Sequence, residues 1–431
     1  MMKNLEKLYE IFKKYRFIST DSRTIREGSI FWAFKGDNYD GNMFVEESFS
    51  KGAIAAVTTQ SELADEAKNI FYVPDAIKAL QDFAIIHRNN LKIPIIAITG
   101  TNGKTTTKEL IATVLSQKYR VSYTSGNLNN HIGVPLTILA INHTIDIAVI
   151  EMGANHPHEI KDLCNIVKPT HGLITNIGIA HLEGFGNFEQ IKQTKAALYE
   201  YLIENKGTLF NNADNTILTE LLNGYFSFSY GKQKAYCTGE FVSLNMKAAV
   251  KWNSDKASGF AKSNLIGEYN FENILAAITV GLFFEVPAVS IDIAIANYTP
   301  NNNRSQICET NKNTLIKDFY NANPISMSLS IENFAKIDNN NKCLILGDML
   351  ELGTESGVEH KKIIEQISKL NFKTINLIGK HFYEFKNNYP FNFFETVEDF
   401  EKFMVKYPEH SKLILIKGSR GIKLEKCIDY L

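Results

Sequence analysis

The stretch IPIIAITGTNGKTTTKELIATVL, residues 93–115, places a glycine-containing turn between a short apolar strand and an amphipathic helix. Backbone N–H groups of such a turn and of a helix N-terminus bind phosphate, a lysine adds positive charge, and a threonine hydroxyl can hold Mg²⁺. The stretch therefore predicts a nucleoside triphosphate site, with Thr105 as a metal ligand. The predicted nucleotide-binding residues here are Gly100, Thr101, Asn102, Gly103, Lys104, Thr105 and Thr106.

The turn departs from the general phosphate-binding pattern GxxxxGK[ST], because Ile98 stands where the first glycine belongs. A glycine turn without function is the alternative interpretation. The Lys-Thr pair at the start of the helix, together with the preceding strand, favours nucleotide binding.

Composition excludes several classes of protein. The 431 residues carry a formal net charge of -1, which does not match the basic surface of a nucleic-acid-binding protein or a polybasic membrane anchor. The five cysteines are dispersed and never form a CxxC pair, which argues against a disulfide framework or a zinc ribbon. The charged N-terminus lacks an apolar signal core, and we expect a cytoplasmic protein with no membrane insertion.

The chain is too long for one ordinary core, and its pattern predicts three α/β domains. We expect a small N-terminal domain over residues 1–88 and a central ATPase domain with a mostly parallel sheet over 89–300. A C-terminal Rossmann-like domain would cover 301–431, after the Asn- and Pro-rich linker NYTPNNNRSQ. In the central part, apolar strands such as IDIAVIEM alternate with helices, as in parallel sheets covered on both faces.

Two polar residues stand where predicted strands of the central domain end. Glu151 closes IDIAVIEMG, and His181 follows HGLITNIGIA. Ligands of open α/β sheets bind at the carboxyl ends of the strands, so both side chains are candidates for a magnesium site. The alternatives are a solvated or capping carboxylate for Glu151 and a structural or exposed histidine for His181. Lys195 lies on the predicted helix EQIKQTKAALY, where most lysines are solvated surface charges.

Taken together, these stretches resemble the Mur ligase family, the ATP-dependent amide ligases of peptidoglycan precursor synthesis. The resemblance covers nearly the whole chain and is carried by STDSRTIREGSIFWAFKGDNYDG, TGTNGKTTTKE, NLNNHIGVPLTIL, EMGANHPHEI, TNIGIAHLEGFG, TKAALY, GEYNFENILAA, NNRSQ, KDFYNANPISM, LGDMLELG and IKGSRG.

The resemblance implies roles for the weaker candidates. Glu151 and His181 match metal ligands of the family, and Lys195 matches the lysine that the family carbamylates. Two Mg²⁺ ions, ATP and a carbamylated Lys195 are the implied cofactors. Lys104, His181 and Lys195 are the implied catalytic residues, and the metal set is Thr105, Glu151, His181 and Lys195.

Further positions match family residues that bind the two substrates. Those implied to hold ATP across the central and C-terminal domains are Asn270, Asn273, Arg304 and Asp318. Those implied to receive the UDP-sugar in the N-terminal domain are Ser22, Arg23, Gly36 and Asp37. Further substrate-binding candidates are Asn129, Asn130, Asn321 and Asn323.

Within the family, NLNNHIGVPLTIL and YNANPISM imply the substrates UDP-N-acetylmuramoyl-tripeptide and D-alanyl-D-alanine, joined through an acyl phosphate by a monomeric enzyme. The alternatives are a ligase that adds the third-position amino acid, a folylpolyglutamate synthase, or a nucleotide-dependent ATPase without ligase activity. The absence of a DNPR stretch weighs against the first, and the UDP-type N-terminal domain weighs against the second.

Overall fold

The structure is a computed structural model that describes residues 2–15 and 17–431. The chain forms three α/β domains, each built on its own sheet. The N-terminal domain contains α1 (Met2–Tyr15), β1 (Phe17–Ser19), β2 (Ser29–Trp32), β3 (Lys35–Gly36), β4 (Tyr39–Asp40), α2 (Val45–Ser50), β5 (Ala53–Thr58), β6 (Ile70–Tyr72) and α3 (Ala76–Asn90).

The N-terminal sheet has the strand order β1-β2-β5-β6 with parallel pairing throughout, and β3 and β4 form a separate antiparallel pair. Helices α1 and α3 cover one face, where the rings of Phe12 and Phe83 meet edge to face at 5.3 Å. This apolar layer continues into the central domain through residues such as Ile150 and Leu198. The shared core fixes the N-terminal domain against the central one.

The central domain begins with the predicted strand and helix around the glycine turn. Its elements are β7 (Ile95–Thr99), α4 (Lys104–Leu115), β8 (Val121–Tyr123), α5 (Gly133–Leu139), β9 (Ile147–Glu151), α6 (Glu159–Val167), β10 (His171–Ile174), α7 (Leu182–Phe185), α8 (Phe188–Glu204), β11 (Thr208–Asn212), α9 (Thr216–Leu222), β12 (Phe228–Gly231), β13 (Cys237–Leu244), β14 (Lys247–Ser254), β15 (Ser258–Ile266), α10 (Phe271–Phe283) and α11 (Ala288–Asn297).

The strand order of the central sheet is β15-β14-β13-β12-β11-β10-β7-β9-β8. Pairing is parallel from β8 to β13, which confirms the prediction of a mostly parallel sheet, and antiparallel through β13, β14 and β15. Helices cover both faces, with α4, α10 and α11 on one side and α3, α5, α6 and α8 on the other. The carboxyl ends of β7, β9 and β10 therefore meet at one edge, where the glycine turn lies.

The C-terminal domain has a third, separate sheet that is also mostly parallel. It contains β16 (Gln306–Glu309), β17 (Thr314–Asp318), α12 (Pro324–Lys336), β18 (Lys342–Gly347), α13 (Ser356–Ser368), β19 (Thr374–Ile378), α14 (Lys380–Tyr383), β20 (Asn392–Phe394), α15 (Val397–Lys406) and β21 (Leu413–Lys417). Its sheet has the order β16-β17-β21-β18-β19-β20, with only the β16–β17 pair antiparallel. Ile266 and Met246 of the central domain pack against its core.

None of the helices within the described residues is both long enough and apolar enough to cross a bilayer.

Candidate active site

A cleft of about 1160 Å³ opens where the three domains meet. Its walls come from α3, from the carboxyl edge of the central sheet and from the C-terminal domain, including Lys417 and Arg420 near the end of the chain. Most of the predicted site residues line it, namely Thr101, Asn102, Gly103, Lys104, Thr105, Thr106, Asn129, Asn130, Glu151, His181, Asn270, Asn273, Arg304, Asp318, Asn321 and Asn323.

The glycine turn, residues 100–105, takes a shape that only glycine permits at two positions. Gly103 has φ 82° directly before α4, and a Cβ there would lie 2.5 Å from Asn273 Oδ1. Gly100 has φ 143°, and a Cβ there would lie 2.0 Å from Thr175 Oγ1. The backbone therefore packs tightly against its neighbours and presents the N-terminus of α4 to the cleft.

Lys104 lies across the turn. Its Nζ donates hydrogen bonds to the carbonyl oxygens of Gly100 and Thr101, at 2.7 and 3.1 Å. Burial lowers the pKa of Lys104 to about 8, nearby Glu151 opposes this effect, and Arg304 lowers the pKa further. A bound phosphate would favour the charged form of this amine.

Glu151 lies at the end of β9, and only one of its two carboxylate oxygens accepts hydrogen bonds from the described residues. Its Oε1 accepts from Thr105 Oγ1 at 3.2 Å and from Asn129 Nδ2 at 2.8 Å. Its Oε2 is buried, and no hydrogen-bond partner lies within reach of it among the residues described here. A free carboxylate oxygen beside a threonine hydroxyl is a donor set that suits Mg²⁺, so these side chains fit the predicted metal.

Lys195 is buried, contrary to the usual position of a helix lysine. It is 3% exposed, it does not line the cleft, and its Nζ lies 5.9 Å from the centre of the Phe185 ring. Burial lowers its pKa to about 7; Lys104 contributes in the same direction, and Glu159 opposes them. A substantial fraction of the amine is therefore neutral near pH 7.

His181 connects the central and C-terminal domains. It precedes α7 with φ 52°, and its Nδ1 is hydrogen-bonded to Oε2 of Glu351. This hydrogen bond lowers the pKa of the Glu351 carboxyl group. In the described part of the chain, no three His, Cys, Asp or Glu side chains gather as a metal-binding group. The metal roles of His181 and Lys195 stay predictions.

The residues predicted to hold ATP form two connected groups. Asn273 Oδ1 accepts from Thr107 Oγ1 at 3.0 Å, and its Nδ2 donates to Asn270 Oδ1 at 3.0 Å. On the opposite wall, Asp318 Oδ2 accepts from Lys417 Nζ at 2.6 Å. The guanidinium of Arg304 stacks at 4.1 Å from the centre of the Tyr320 ring.

Among the substrate-binding candidates on the cleft wall, the side chains of Asn130 and Asn321 make local backbone contacts. Asn130 Oδ1 accepts from the backbone N–H groups of Ile132 and Gly133, where α5 begins. Asn321 Oδ1 accepts from the neighbouring Ala322 N–H at 2.9 Å. Both residues line the cleft, and their contact with a substrate stays a prediction.

The N-terminal candidates lie outside the lining of the cleft. Arg23 pairs with Asp21 at 2.6 Å, and the Ser22 carbonyl accepts from Lys51 Nζ at 3.2 Å. Gly36 and Asp37 are exposed at the short β3–β4 pair. Their role in binding the UDP-sugar stays a prediction.

Sequence reasoning missed several polar residues of the site. Lys108 is fully buried, and its Nζ lies 3.9 Å from Glu151 Oε2. Its position one helical turn after Lys104 was the sequence feature that could have indicated that it lies near the site. Lys417, Tyr320 and Glu351 reach the site from the C-terminal domain. The contacts of Lys417 and Glu351 join residues 99 and 170 positions apart, which periodicity does not reveal.

The fold and the glycine turn define a three-domain nucleotide-binding α/β protein whose C-terminal domain faces the phosphate site. The chain belongs to the Mur ligase family. The family model described as "Mur ligase family, catalytic domain" matches residues 14–97, "Mur ligase middle domain" matches 98–281, and "Mur ligase, glutamate ligase domain" matches 303–420. The protein is thus an ATP-dependent ligase.

Similar proteins cover the chain almost from end to end. UDP-N-acetylmuramoyl-tripeptide--D-alanyl-D-alanine ligase of Rickettsia prowazekii is 32% identical over 96% of this chain and 94% of its own. The crystal structure of MurF from Acinetobacter baumannii has a TM-score of 0.86 at 28% identity, covering 96% of this chain and 93% of that one. MurF ligase from Thermotoga maritima in complex with ADP has a TM-score of 0.84 at 26% identity and covers 97% of both chains.

Proposed function

We propose that the protein joins D-alanyl-D-alanine to UDP-N-acetylmuramoyl-tripeptide, with conversion of ATP to ADP and phosphate, in peptidoglycan precursor synthesis. The relatives named for this reaction support the substrates. The observation that carries the proposal is the cleft, which brings the glycine turn, Glu151 and His181 together with Arg304 and Asp318 of another domain. This arrangement suits phosphate transfer to a carboxylate held between domains.

The chemical problem is the low reactivity of a carboxylate toward an amine in water. Attack of the tripeptide carboxylate on the γ-phosphate of ATP would give an acyl phosphate, with ADP as the leaving group. The dipeptide amine would then attack the acyl carbon, and phosphate would leave as the amide bond forms. Exclusion of water by the closed cleft would protect the acyl phosphate from hydrolysis.

In this chain the turn and Lys104 would hold the phosphates, with backbone N–H groups and one positive charge directed at them. Thr105 and Glu151 would hold one Mg²⁺, since the buried Oε2 of Glu151 accepts no hydrogen bond from the described residues and has only the Lys108 amine nearby, at 3.9 Å. The metal would supply charge stabilisation for the transferred phosphoryl group. Arg304 would meet the phosphates of the nucleotide with its positive charge, and Asp318 of β17 would hold the ribose hydroxyls.

Carbamylation of Lys195 is the second part of the proposal. A neutral amine adds to the carbon of CO₂, and loss of one proton leaves an anionic carbamate. Lys195 is suited to this because burial, then Lys104, lower its pKa to about 7. The carbamate oxygens and His181 would hold a second Mg²⁺, whereas a cationic lysine would repel it.

We further propose that the protein acts in the cytoplasm as a monomer. Residues from all three domains of one chain line the cleft, which supports a monomeric enzyme. Gel filtration with light scattering checks the oligomeric state, and a dimer as the active species would contradict it.

The test is ADP release by the purified protein given ATP, Mg²⁺ and UDP-N-acetylmuramoyl-tripeptide. D-alanyl-D-alanine is supplied, omitted, or replaced by single amino acids. Release that depends on the dipeptide, with a product extended by two alanine residues, is the expected result. Release that depends instead on a single amino acid or on a folate would overturn the substrates, and release indifferent to every acceptor would indicate an ATPase without ligase activity.

A further inference from the structure

Glu109 links the helix of the glycine turn to the segment between the central and C-terminal domains. It lies on α4, five residues after Lys104, and its side chain is 18% exposed. Its Oε2 accepts from Tyr298 Oη at 2.6 Å and from Asn302 Nδ2 at 3.0 Å. Both donors belong to residues 298–305, here called the connector, which runs from the end of α11 to the start of β16.

The other oxygen of Glu109 faces a buried cation. Lys108 Nζ lies 3.6 Å from Glu109 Oε1 and 3.9 Å from Glu151 Oε2. It also donates to the Thr124 carbonyl at 2.7 Å, and Thr124 Oγ1 accepts from the Glu151 N–H at 2.9 Å. Glu109 is therefore held from both sides, because Lys108 orients one oxygen and the connector engages the other.

The connector carries Arg304, the residue proposed to meet nucleotide phosphate. Arg304 is close enough to Lys104 to lower the pKa of that amine, although the two residues are 200 positions apart in the chain. Tyr298, at the other end of the connector, has its pKa raised by burial and then by Glu109. The two hydrogen bonds that Tyr298 and Asn302 donate to Glu109 thus fix the connector on α4 just before it delivers Arg304 to the cleft.

We propose that Glu109 is a positioning residue for nucleotide binding, which acts through Tyr298 and Asn302 to place Arg304 over the glycine turn. The inference deepens the proposed function, since it rests on Arg304 meeting the ATP phosphates. It assigns a role to a side chain that does not itself line the cleft. The same carboxylate also balances the charge of the buried Lys108 beside it.

A double-mutant cycle with Arg304 tests the proposal. Calorimetry measures the Kd of a non-hydrolysable ATP analogue with Mg²⁺. The single variants are Glu109→Gln, Tyr298→Phe and Arg304→Met, compared with wild type. The double variants combine Arg304→Met with either Glu109→Gln or Tyr298→Phe. With Arg304 present, weakening the hydrogen bonds between Glu109 and the connector is expected to raise the Kd of the ATP analogue about three- to tenfold. With Met at position 304, the same changes are expected to leave the Kd within about twofold.

Tyr119→Phe is the matched control, because Tyr119 Oη donates to the Phe284 carbonyl at 2.8 Å near the far end of α4. It removes a comparable hydroxyl without touching the connector and should leave the Kd unchanged. Equal losses of affinity for the ATP analogue with Arg or Met at position 304 would show a merely structural role for Glu109 and overturn the inference. So would unchanged binding in Tyr298→Phe and Glu109→Gln.

The assay needs no acceptor, so it separates this inference from the proposed reaction. If the wild-type protein binds the analogue but ligates no dipeptide, the proposed substrates are wrong. The double-mutant cycle would still test the role of Glu109 in nucleotide binding. A wild-type protein that does not bind the analogue would overturn both.

Discussion

Asn323 of the C-terminal domain donates a 2.8 Å hydrogen bond from its Nδ2 to Oδ1 of Asn102 in the glycine turn. The same side chain accepts from Ser326 N at 2.9 Å and thereby caps α12. Asn102 in the glycine turn is also held in place, because Asn176 Oδ1 accepts from the Asn102 N–H at 2.9 Å. One asparagine therefore both starts a helix and holds the C-terminal domain against the phosphate site.

The two roles of Asn323 can be separated by substitution. Asn323→Asp keeps an oxygen for the cap but loses the donor to Asn102, and it places a negative charge near the phosphates. We expect the KM for ATP to rise about tenfold with little change in thermal stability. Asn323→Ala loses the cap as well and should lower the free energy of unfolding by about 1 kcal/mol.

Steady-state kinetics and thermal unfolding of both variants check this prediction. An unchanged KM in Asn323→Asp would show that the bond to Asn102 does not contribute to nucleotide binding.

Glu151 is expected to matter for activity far more than for folding. Glu151→Gln preserves shape but weakens the ligand that its free Oε2 offers to Mg²⁺. We expect kcat to fall about 100-fold or more, together with a higher Mg²⁺ requirement. The exposed Glu285→Gln is the control and should behave as wild type. Activity of Glu151→Gln within a few-fold of wild type across a Mg²⁺ titration would contradict the metal role.

The local part of the site was predictable from the sequence because it is built from neighbouring residues. The strand Ile95–Thr99 and the helix Lys104–Leu115 flank the turn as the pattern predicts. Glu151 ends β9 at the same sheet edge, since parallel strands share their carboxyl ends. In such cases periodicity and turn chemistry determine the geometry.

The features that the sequence did not predict depend on tertiary contacts. The pattern of α8 does not show that Lys195 faces the protein interior, because the same spacing would suit a solvated lysine. The contact of His181 with Glu351 joins residues 170 positions apart and depends on how two domains are oriented. The antiparallel β13–β15 edge of the central sheet was likewise not predicted, because the alternation of strands and helices in the preceding sequence favours parallel pairing.

The proposed carbamate on Lys195 would make activity depend on CO₂ and pH. Because the pKa of Lys195 is lowered to about 7, the neutral amine needed for carbamylation declines as the pH falls below 7. We expect a ¹³C carbamate signal after incubation with labelled bicarbonate at pH 8, and a much weaker one at pH 6. The signal should be missing in Lys195→Ala.

Activity offers an independent check of the same group. Lys195→Ala should lose about 100-fold or more in kcat and regain part of it with added short carboxylic acids, which supply the missing oxygens. Wild-type activity in Lys195→Ala without any added acid would eliminate the carbamate from the mechanism.

His171 is expected to make the fold sensitive to acid. It lies at the start of β10 with its ring against Phe283 and Phe284, at 5.4 and 5.2 Å between ring centres. Burial lowers its pKa to about 4 from the ordinary 6.5, so between these pH values the unfolded chain binds a proton that the folded chain does not. The free energy of unfolding should therefore fall as the pH is lowered from 6.5 toward 4, with about 1 to 3 kcal/mol due to this residue.

Substitution isolates that contribution from other acid-sensitive groups. His171→Gln cannot titrate in this range, so its loss of stability between pH 6.5 and 4 should be smaller than that of wild type by about the same 1 to 3 kcal/mol. Urea unfolding at several pH values measures the difference, and the exposed His410→Gln serves as the control. Parallel pH profiles for wild type and His171→Gln would show that the half-buried imidazole does not contribute to the acid sensitivity.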